Sequence, residues 1–262
     1  MRRLLRSGAL SVVVLVLLTG CADTLASLSA QFRRGYEAQV AYQDGTQAYQ
    51  ARQYDRAIYE LSRAVEIDPT LDEARASLAW SYYYVHSYPE AALHFRLAIA
   101  RQPQWGGLYD GLGWTRCRVG RYHIALEAFQ ESLRLDAANR DAAVGAAFSL
   151  FELGRYAEAL PRLERLTRDG EGSPFKKPSA DLEEVRSRYA WTLFYLGSYD
   201  RARTEFAKGI AARPQWYGLQ NGLGWSLLRL GNRAEARAHF QQALHLQPKF
   251  PDALEGLAQV GP

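Results

Sequence analysis

The sequence is short of the residues on which most protein chemistry relies. Among its 262 residues are two cysteines, one methionine and five histidines. His86, His94, His123, His239 and His245 fall at scattered positions without ligand spacing, so no metal site is expected. No G-x-S-x-G, H-E-x-x-H, C-x-x-C or Walker A sequence occurs, so neither an enzyme nor a cofactor is expected. Gly107, Gly111 and Gly113 are closely spaced, but no strand precedes them, which removes a dinucleotide reading. The apolar run from Ala9 to Leu18 is too short to span a bilayer. A basic surplus is missing too. The formal charge is +4, and Arg2, Arg3 and Arg6 supply three of those charges, which leaves about +1 for the rest. That balance gives no field for a nucleic-acid partner.

What is present begins with a secretory pattern. Arg2, Arg3 and Arg6 precede the Ala9 to Leu18 run, as the basic and apolar parts of a signal peptide do. The run ends in Leu18-Thr19-Gly20-Cys21, which resembles the lipobox of bacterial lipoproteins. The resemblance implies removal of residues 1–20 and acylation of Cys21, palmitate being the kind of chain expected. The other reading is an ordinary secretory signal with an incidental cysteine. Acylation would consume the Cys21 thiol and leave Cys117 without a disulfide partner, so stability must come from burial. Each buried methylene contributes about 0.8 kcal/mol, so several acyl chains would hold the membrane firmly. Ala22 stands where enterobacterial lipoproteins retained at the inner membrane carry Asp. The expectation is therefore the periplasmic face of the outer membrane, with Asp23 one place later leaving the inner membrane open. Residues 21–37 are expected to be the lipidated cysteine and a polar tether, in which Leu25, Leu28 and Phe32 have helical spacing. Fully extended, such a tether reaches at most roughly 50 Å.

The body of the chain repeats itself. Residues 103–114 and 214–225 agree at nine of twelve positions, 111 residues apart, and Ala79-Trp80 is answered by Ala190-Trp191 at the same offset. From Ala38 onward the chain divides into 34-residue units: 38–71, 72–105, 106–139, 140–173, 183–216 and 217–250. Position 8 is small in each (Gly45, Ala79, Gly113, Ala147, Ala190, Gly224) and position 20 is always Ala. Position 24 is Leu61, Phe95, Phe129, Leu163, Phe206 or Phe240, and position 32 is Pro69, Pro103, Pro214 or Pro248 in four units. Small residues let two helices approach, a bulky one fills the groove beside them, and proline stops the second helix. Gly or a polar residue near position 15, followed by Tyr in five units, marks the turn between the helices. One hairpin cannot bury its own apolar face, so such units must stack.

This pattern resembles the tetratricopeptide repeat family over residues 38–250. The fold the resemblance implies is all-α: a right-handed superhelix of six helix-turn-helix repeats, with residues 251–262 as a C-terminal capping helix. Residues 174–182 interrupt the register, which divides the array into blocks 38–139 and 140–250. The segment from Gly170 to Ser179 reads as a loop, and Asp181 with Glu184 has capping-box spacing to restart the helix. The insertion is read as one tolerated in a surface loop; a flexible joint or a docking site is the other reading.

Aromatic residues carry the functional signal. Positions 5, 9, 12 and 13 of the first helix share one stripe, and the resemblance implies that this stripe lines the concave face. Position 9 holds Trp80, Trp114, Phe148, Trp191 and Trp225; positions 12 and 13 add Tyr49, Tyr83, Tyr84, Phe151, Phe194 and Tyr195; position 5 adds Asp110 and Asn221. Gly107, Gly111, Gly218 and Gly222 are expected to leave backbone bare for a partner. The expectation is two similar pockets, one around Trp80, Asp110 and Trp114, the other around Trp191, Asn221 and Trp225. The alternative places these rings in the core between repeats. Aromatic walls with polar side chains suit a protein or peptide partner. The resemblance thus implies a membrane-anchored adaptor in assembly of an envelope complex, as type IV pilus pilotins and outer-membrane assembly lipoproteins are. The alternative is a polysaccharide-binding accessory lipoprotein in exopolysaccharide export or envelope glycan handling.

Overall fold

The computed structural model describes residues 4–171 and 182–261, with side chains for 27–168 and 182–261. Among the described residues there are thirteen helices and no strand. The chain forms two compact units, Met1–Pro103 and Gln104–Pro262. They divide after the second repeat, whereas the symmetry of the sequence places a boundary after the third.

The first unit holds α1 (Leu4–Gln50), α2 (Tyr54–Ile67), α3 (Asp72–Tyr84) and α4 (Tyr88–Arg101). Ala41, Ala48, Ala57, Leu61, Ala64, Val65, Ala74 and Leu78 form its core. Asp72 at the start of α3 is buried, and its carboxylate accepts from Arg101 Nε at 2.7 Å and Gln102 Nε2 at 2.9 Å. The hairpin of α3 and α4 is thus tied at its open end as well as along its faces. The segment expected as a tether is helical, because α1 starts at Leu4 and continues unbroken into the first repeat. Leu28, Phe32, Tyr36 and Val40, four residues apart on α1, are all exposed. No helix among the described residues is long and apolar enough to cross a membrane.

The second unit runs α5 (Gly106–Arg118), α6 (Tyr122–Leu135), α7 (Arg140–Glu152), α8 (Tyr156–Glu171), α9 (Leu182–Tyr195), α10 (Tyr199–Ala212), α11 (Tyr217–Arg229), α12 (Arg233–Leu246) and α13 (Pro251–Val260). Gly170 and Glu171 continue α8; the rest of the expected loop, and the capping residue Asp181, lie outside the described residues.

Each hairpin closes in the same way. The residue at position 15 takes the left-handed conformation: Gly120, Gly154, Gly197 and Gly231 at φ 70–86°, and Arg52 and His86 at 58° and 65°. The proline at position 32 follows the cap residue of the second helix, as Pro103 follows Gln102 after α4.

The packing of repeat on repeat turns on position 24. Phe129, Phe206 and Phe240 are fully buried. A methyl group at Gly113 would lie 2.7 Å from the Phe129 ring, and one at Gly145 would lie 2.3 Å from it. Phe240 is held in the same way by Gly224 (2.8 Å) and Gly256 (2.4 Å). Each ring is thus gripped between a small residue at position 8 of its own repeat (Gly113, Ala190 or Gly224) and position 6 of the next, where glycine leaves the room. Buried hydroxyls four residues further along bond back to the position-6 carbonyl: Thr115 to Gly111 at 2.6 Å, Ser149 to Gly145 at 2.8 Å, Ser226 to Gly222 at 2.9 Å. This satisfies the polar group inside the helix interface.

Candidate binding face

Trp80, Trp114, Trp191 and Trp225 each lie edge-on against the position-24 phenylalanine of their own hairpin, with centroids 5.2, 5.2, 5.1 and 5.3 Å apart. All four are half-buried. One edge of each indole is therefore core, and the rest remains available as surface. Phe148, the fifth residue of this set, is buried in the core of the second unit.

Two aromatic ladders grow from these tryptophans, one in each unit. In the first, Trp80 meets Tyr83 at 5.4 Å and Tyr84 at 6.2 Å, and Tyr84 stacks on Tyr54 at 4.7 Å. In the second, Trp191 meets Phe194 at 5.4 Å and Tyr195 at 5.8 Å, and Tyr195 stacks on Tyr156 at 4.5 Å. A third ring joins each stack, Tyr49 in one and Phe151 in the other. Tyr84 and Tyr195 are the outermost rings, 43% and 52% exposed. Burial, and then the neighbouring Tyr84, push the Tyr49 hydroxyl well above the usual phenol range. The partner rings Tyr54 and Tyr156 start second helices, so the turn that closes each hairpin brings them onto the ladder.

The polar half of the expected pockets is not on this face. Asp110 is 8% exposed and Asn221 1% exposed. Asp110 Oδ2 accepts from Asn139 Nδ2 at 2.6 Å, and the same amide reaches Ser132 Oγ at 3.1 Å. Asp110 at position 5 thereby ties its repeat to the loop before the next one, and Asn221 is buried at the equivalent place. Of the glycines, Gly111 and Gly222 are buried as well. A methyl group at Gly222 would lie 2.3 Å from the Phe206 ring, and methyl groups at Gly107 and Gly218 would lie 3.2 Å from the indole nitrogens of Trp105 and Trp216. Gly222 thus serves helix packing, whereas Gly107 and Gly218 stay partly exposed beside those indoles. Trp80 lies in the first unit, and Asp110 and Trp114 in the second.

Burial raises the Asp110 carboxyl above its usual value, outweighing its hydrogen bonds, with Asp141 and Asp136 adding to the rise. A carboxyl raised in the folded state stabilises the fold at low pH relative to neutral pH. Asp110→Asn removes the buried charge, and Asn already stands at the equivalent position 221. The variant is expected to unfold at a higher temperature than the parent at pH 7. The difference shrinks as pH falls toward 3.8, which paired thermal melts across that range would read.

Arg188 is a residue of this face that the aromatic pattern does not reveal. Its guanidinium lies 3.9 Å from the centre of the Phe148 ring and bonds Glu184 at 2.8 Å, with Glu152 at 3.5 Å. It places one held cation beside the second ladder. The signal was its position: Arg188 occupies position 6, where four other repeats have Ser or Gly.

Tetratricopeptide repeat models match residues 118–175 and 218–250. The small glutamine-rich tetratricopeptide repeat-containing protein 2 of Mycosarcoma maydis is 27% identical over 110 residues, 42% of this chain and 31% of that protein. The chain thus spans about a third of that relative. Among solved structures, YrrB, described as a TPR protein with an unusual peptide-binding site, superposes with a TM-score of 0.62 at 22% identity, over 74% of this chain and 96% of that one. Pseudomonas aeruginosa pilF superposes with a TM-score of 0.69 at 19% identity, over 86% of this chain and 99% of that one. At these identities the superpositions establish the fold.

Proposed function

Because the chain belongs to the tetratricopeptide repeat family, we propose that it is a non-catalytic scaffold that binds extended segments of a protein partner across its aromatic ladders. The observation that carries this reading is the occurrence of the same ladder in both units, each ending in an exposed tyrosine. Flat rings with one free face offer large apolar contact at low conformational cost. A peptide-binding relative of the same fold, YrrB, supports the class of partner.

Tyr84 and Tyr195 test the reading better than the tryptophans, whose edges support core phenylalanines. Tyr84→Ala with Tyr195→Ala is expected to abolish capture of a protein fraction from periplasmic extract and its shift of tryptophan fluorescence, with the far-ultraviolet circular dichroism unchanged. Unimpaired capture would remove the ladders from the binding site. A shift produced by oligosaccharides and by no protein fraction would replace the peptide reading with glycan binding.

The scaffold is anchored, in this reading, to the periplasmic face of the outer membrane through acylated Cys21, and acts in assembly of an envelope complex. The basic and apolar leader and Leu18-Thr19-Gly20-Cys21 support the anchor. The exposed stripe Leu28, Phe32, Tyr36 and Val40 suits a helix that leaves a membrane surface. Cys21→Ser is expected to eliminate incorporation of labelled palmitate and to release the protein from sedimented outer membranes. Retained label would show that acylation lies elsewhere.

A further inference from the structure

The second unit has a cavity of about 530 Å³ away from the aromatic ladders, between the end of α6, the start of α7 and the second half of α8. Its floor is apolar, formed by Leu133, Ala143 and Leu166, and its rim carries Arg140, Arg162 and Arg165. The volume lies within the ordinary range for small-molecule sites, roughly 300–1,000 Å³.

Two of these arginines, Arg140 and Arg162, are held in place by backbone carbonyls. Arg140 Nη2 donates to the Leu166 carbonyl at 3.3 Å, and Arg162 Nη1 to the Glu158 carbonyl at 2.7 Å. Neither forms an ion pair among the described residues. Among the nearby carboxylates, Glu158 takes both bonds of Arg155 at 2.8 Å and attracts Arg162 only through space, Asp136 Oδ1 accepts the Ala138 amide at 2.9 Å, and Asp141 follows Arg140 in the first turn of α7. A backbone carbonyl fixes a guanidinium without neutralising it, and both side chains are exposed, so the remaining N–H donors of each are open to solvent. Asn139 and Arg140, the cap and first residue of α7, also line the cavity, and the positive end of a helix favours an anion there.

A bare inorganic anion would satisfy the rim and leave the floor empty. An uncharged apolar molecule would fill the floor and leave the arginines unused. We propose that this cavity binds a small amphiphilic monocarboxylate, of the size of octanoate, with its carboxylate on Arg140 and Arg162 and its hydrocarbon over Leu133, Ala143 and Leu166. The site shares no residue with the ladders, so it stands or falls separately from the peptide reading.

The test is a titration of the full chain, followed by nuclear magnetic resonance of backbone amides and arginine Nε–H groups. Octanoate is expected to give saturable shifts confined to Arg140, Ala143, Arg162 and Leu166. Octanol is expected to bind about tenfold more weakly or worse, since a charge-assisted hydrogen bond contributes roughly 1.5–3 kcal/mol. Arg140→Gln with Arg162→Gln should bring octanoate down to the level of octanol; both side chains are exposed, so the fold is retained. Equal binding of octanol and octanoate overturns the proposal, and that comparison needs no variant. Equal shifts with inorganic phosphate overturn it too, as do tighter binding of acetyl-leucine, which would make the occupant a polypeptide end, or shifts spread over the whole chain.

Discussion

Replacing Phe129 by alanine is expected to lower the stability of the second unit by about 3–5 kcal/mol, the usual cost of removing a fully buried aromatic ring. The ring is fully buried, and its two neighbouring glycines have no side chains with which to fill the hole. Helices α5, α6 and α7 meet on it, so the cavity opens at the seam between the third and fourth repeats. With roughly 2–4 °C of melting temperature per kcal/mol for a unit of this size, the midpoint should fall by about 10 °C. Hydrogen exchange should locate the damage. Amides of α5 to α7 lose protection first, because a stacked array couples mainly nearest neighbours. Trp114, 5.2 Å from the Phe129 ring, should become more open to acrylamide. A loss under 1 kcal/mol would mean that the seam relaxes and that the ring is not the fastener between these repeats.

How much of this was legible in the sequence differs between the fold and the site. Positions 8, 20, 24 and 32 carry the fold because steric exclusion is local and recurs at a fixed spacing. Gly113 opposite Phe129, or Pro103 after Gln102, can be read without knowing any neighbour. The binding face was harder to read. A helical stripe treats positions 5, 9, 12 and 13 as one surface, but burial changes along the helix. Asp110 and Asn221 at position 5 are buried, the tryptophans at position 9 are half-buried, and Tyr84 and Tyr195 at position 13 are exposed. At Asp110 the cause is the loop that leads into the next repeat, to which its carboxylate is tied. Periodicity within one helix holds no information about that loop. In the sequence Tyr54 and Tyr156 mark only turns, yet they stack on the outermost rings of the ladders, because the turn sets their direction.

One missed rule was present in the sequence, and it yields the sharpest test. Where position 24 is Phe (Phe95, Phe129, Phe206, Phe240), position 6 of the following unit is Gly (Gly111, Gly145, Gly222, Gly256). Where position 24 is Leu (Leu61, Leu163), position 6 is Ser77 or Arg188. The two positions trade volume across the seam between repeats. In an open helix, Gly to Ala stabilises by about 1 kcal/mol. At Gly222 the sign is expected to reverse, because the added methyl group would sit 2.3 Å from the fully buried Phe206 ring. Gly222→Ala should therefore cost about 2–3 kcal/mol, as overpacking does. Phe206→Leu alone leaves a small void and should cost about 1 kcal/mol. Together the two place Leu opposite a small side chain, close to the Leu61 and Ser77 pairing, so the double variant should be more stable than the single costs predict, by on the order of 1–2 kcal/mol. Denaturant unfolding of the four proteins measures this coupling directly. Strict additivity would show that the two positions do not compete for the same space, and the alternation of Phe with Gly would then have no packing cause.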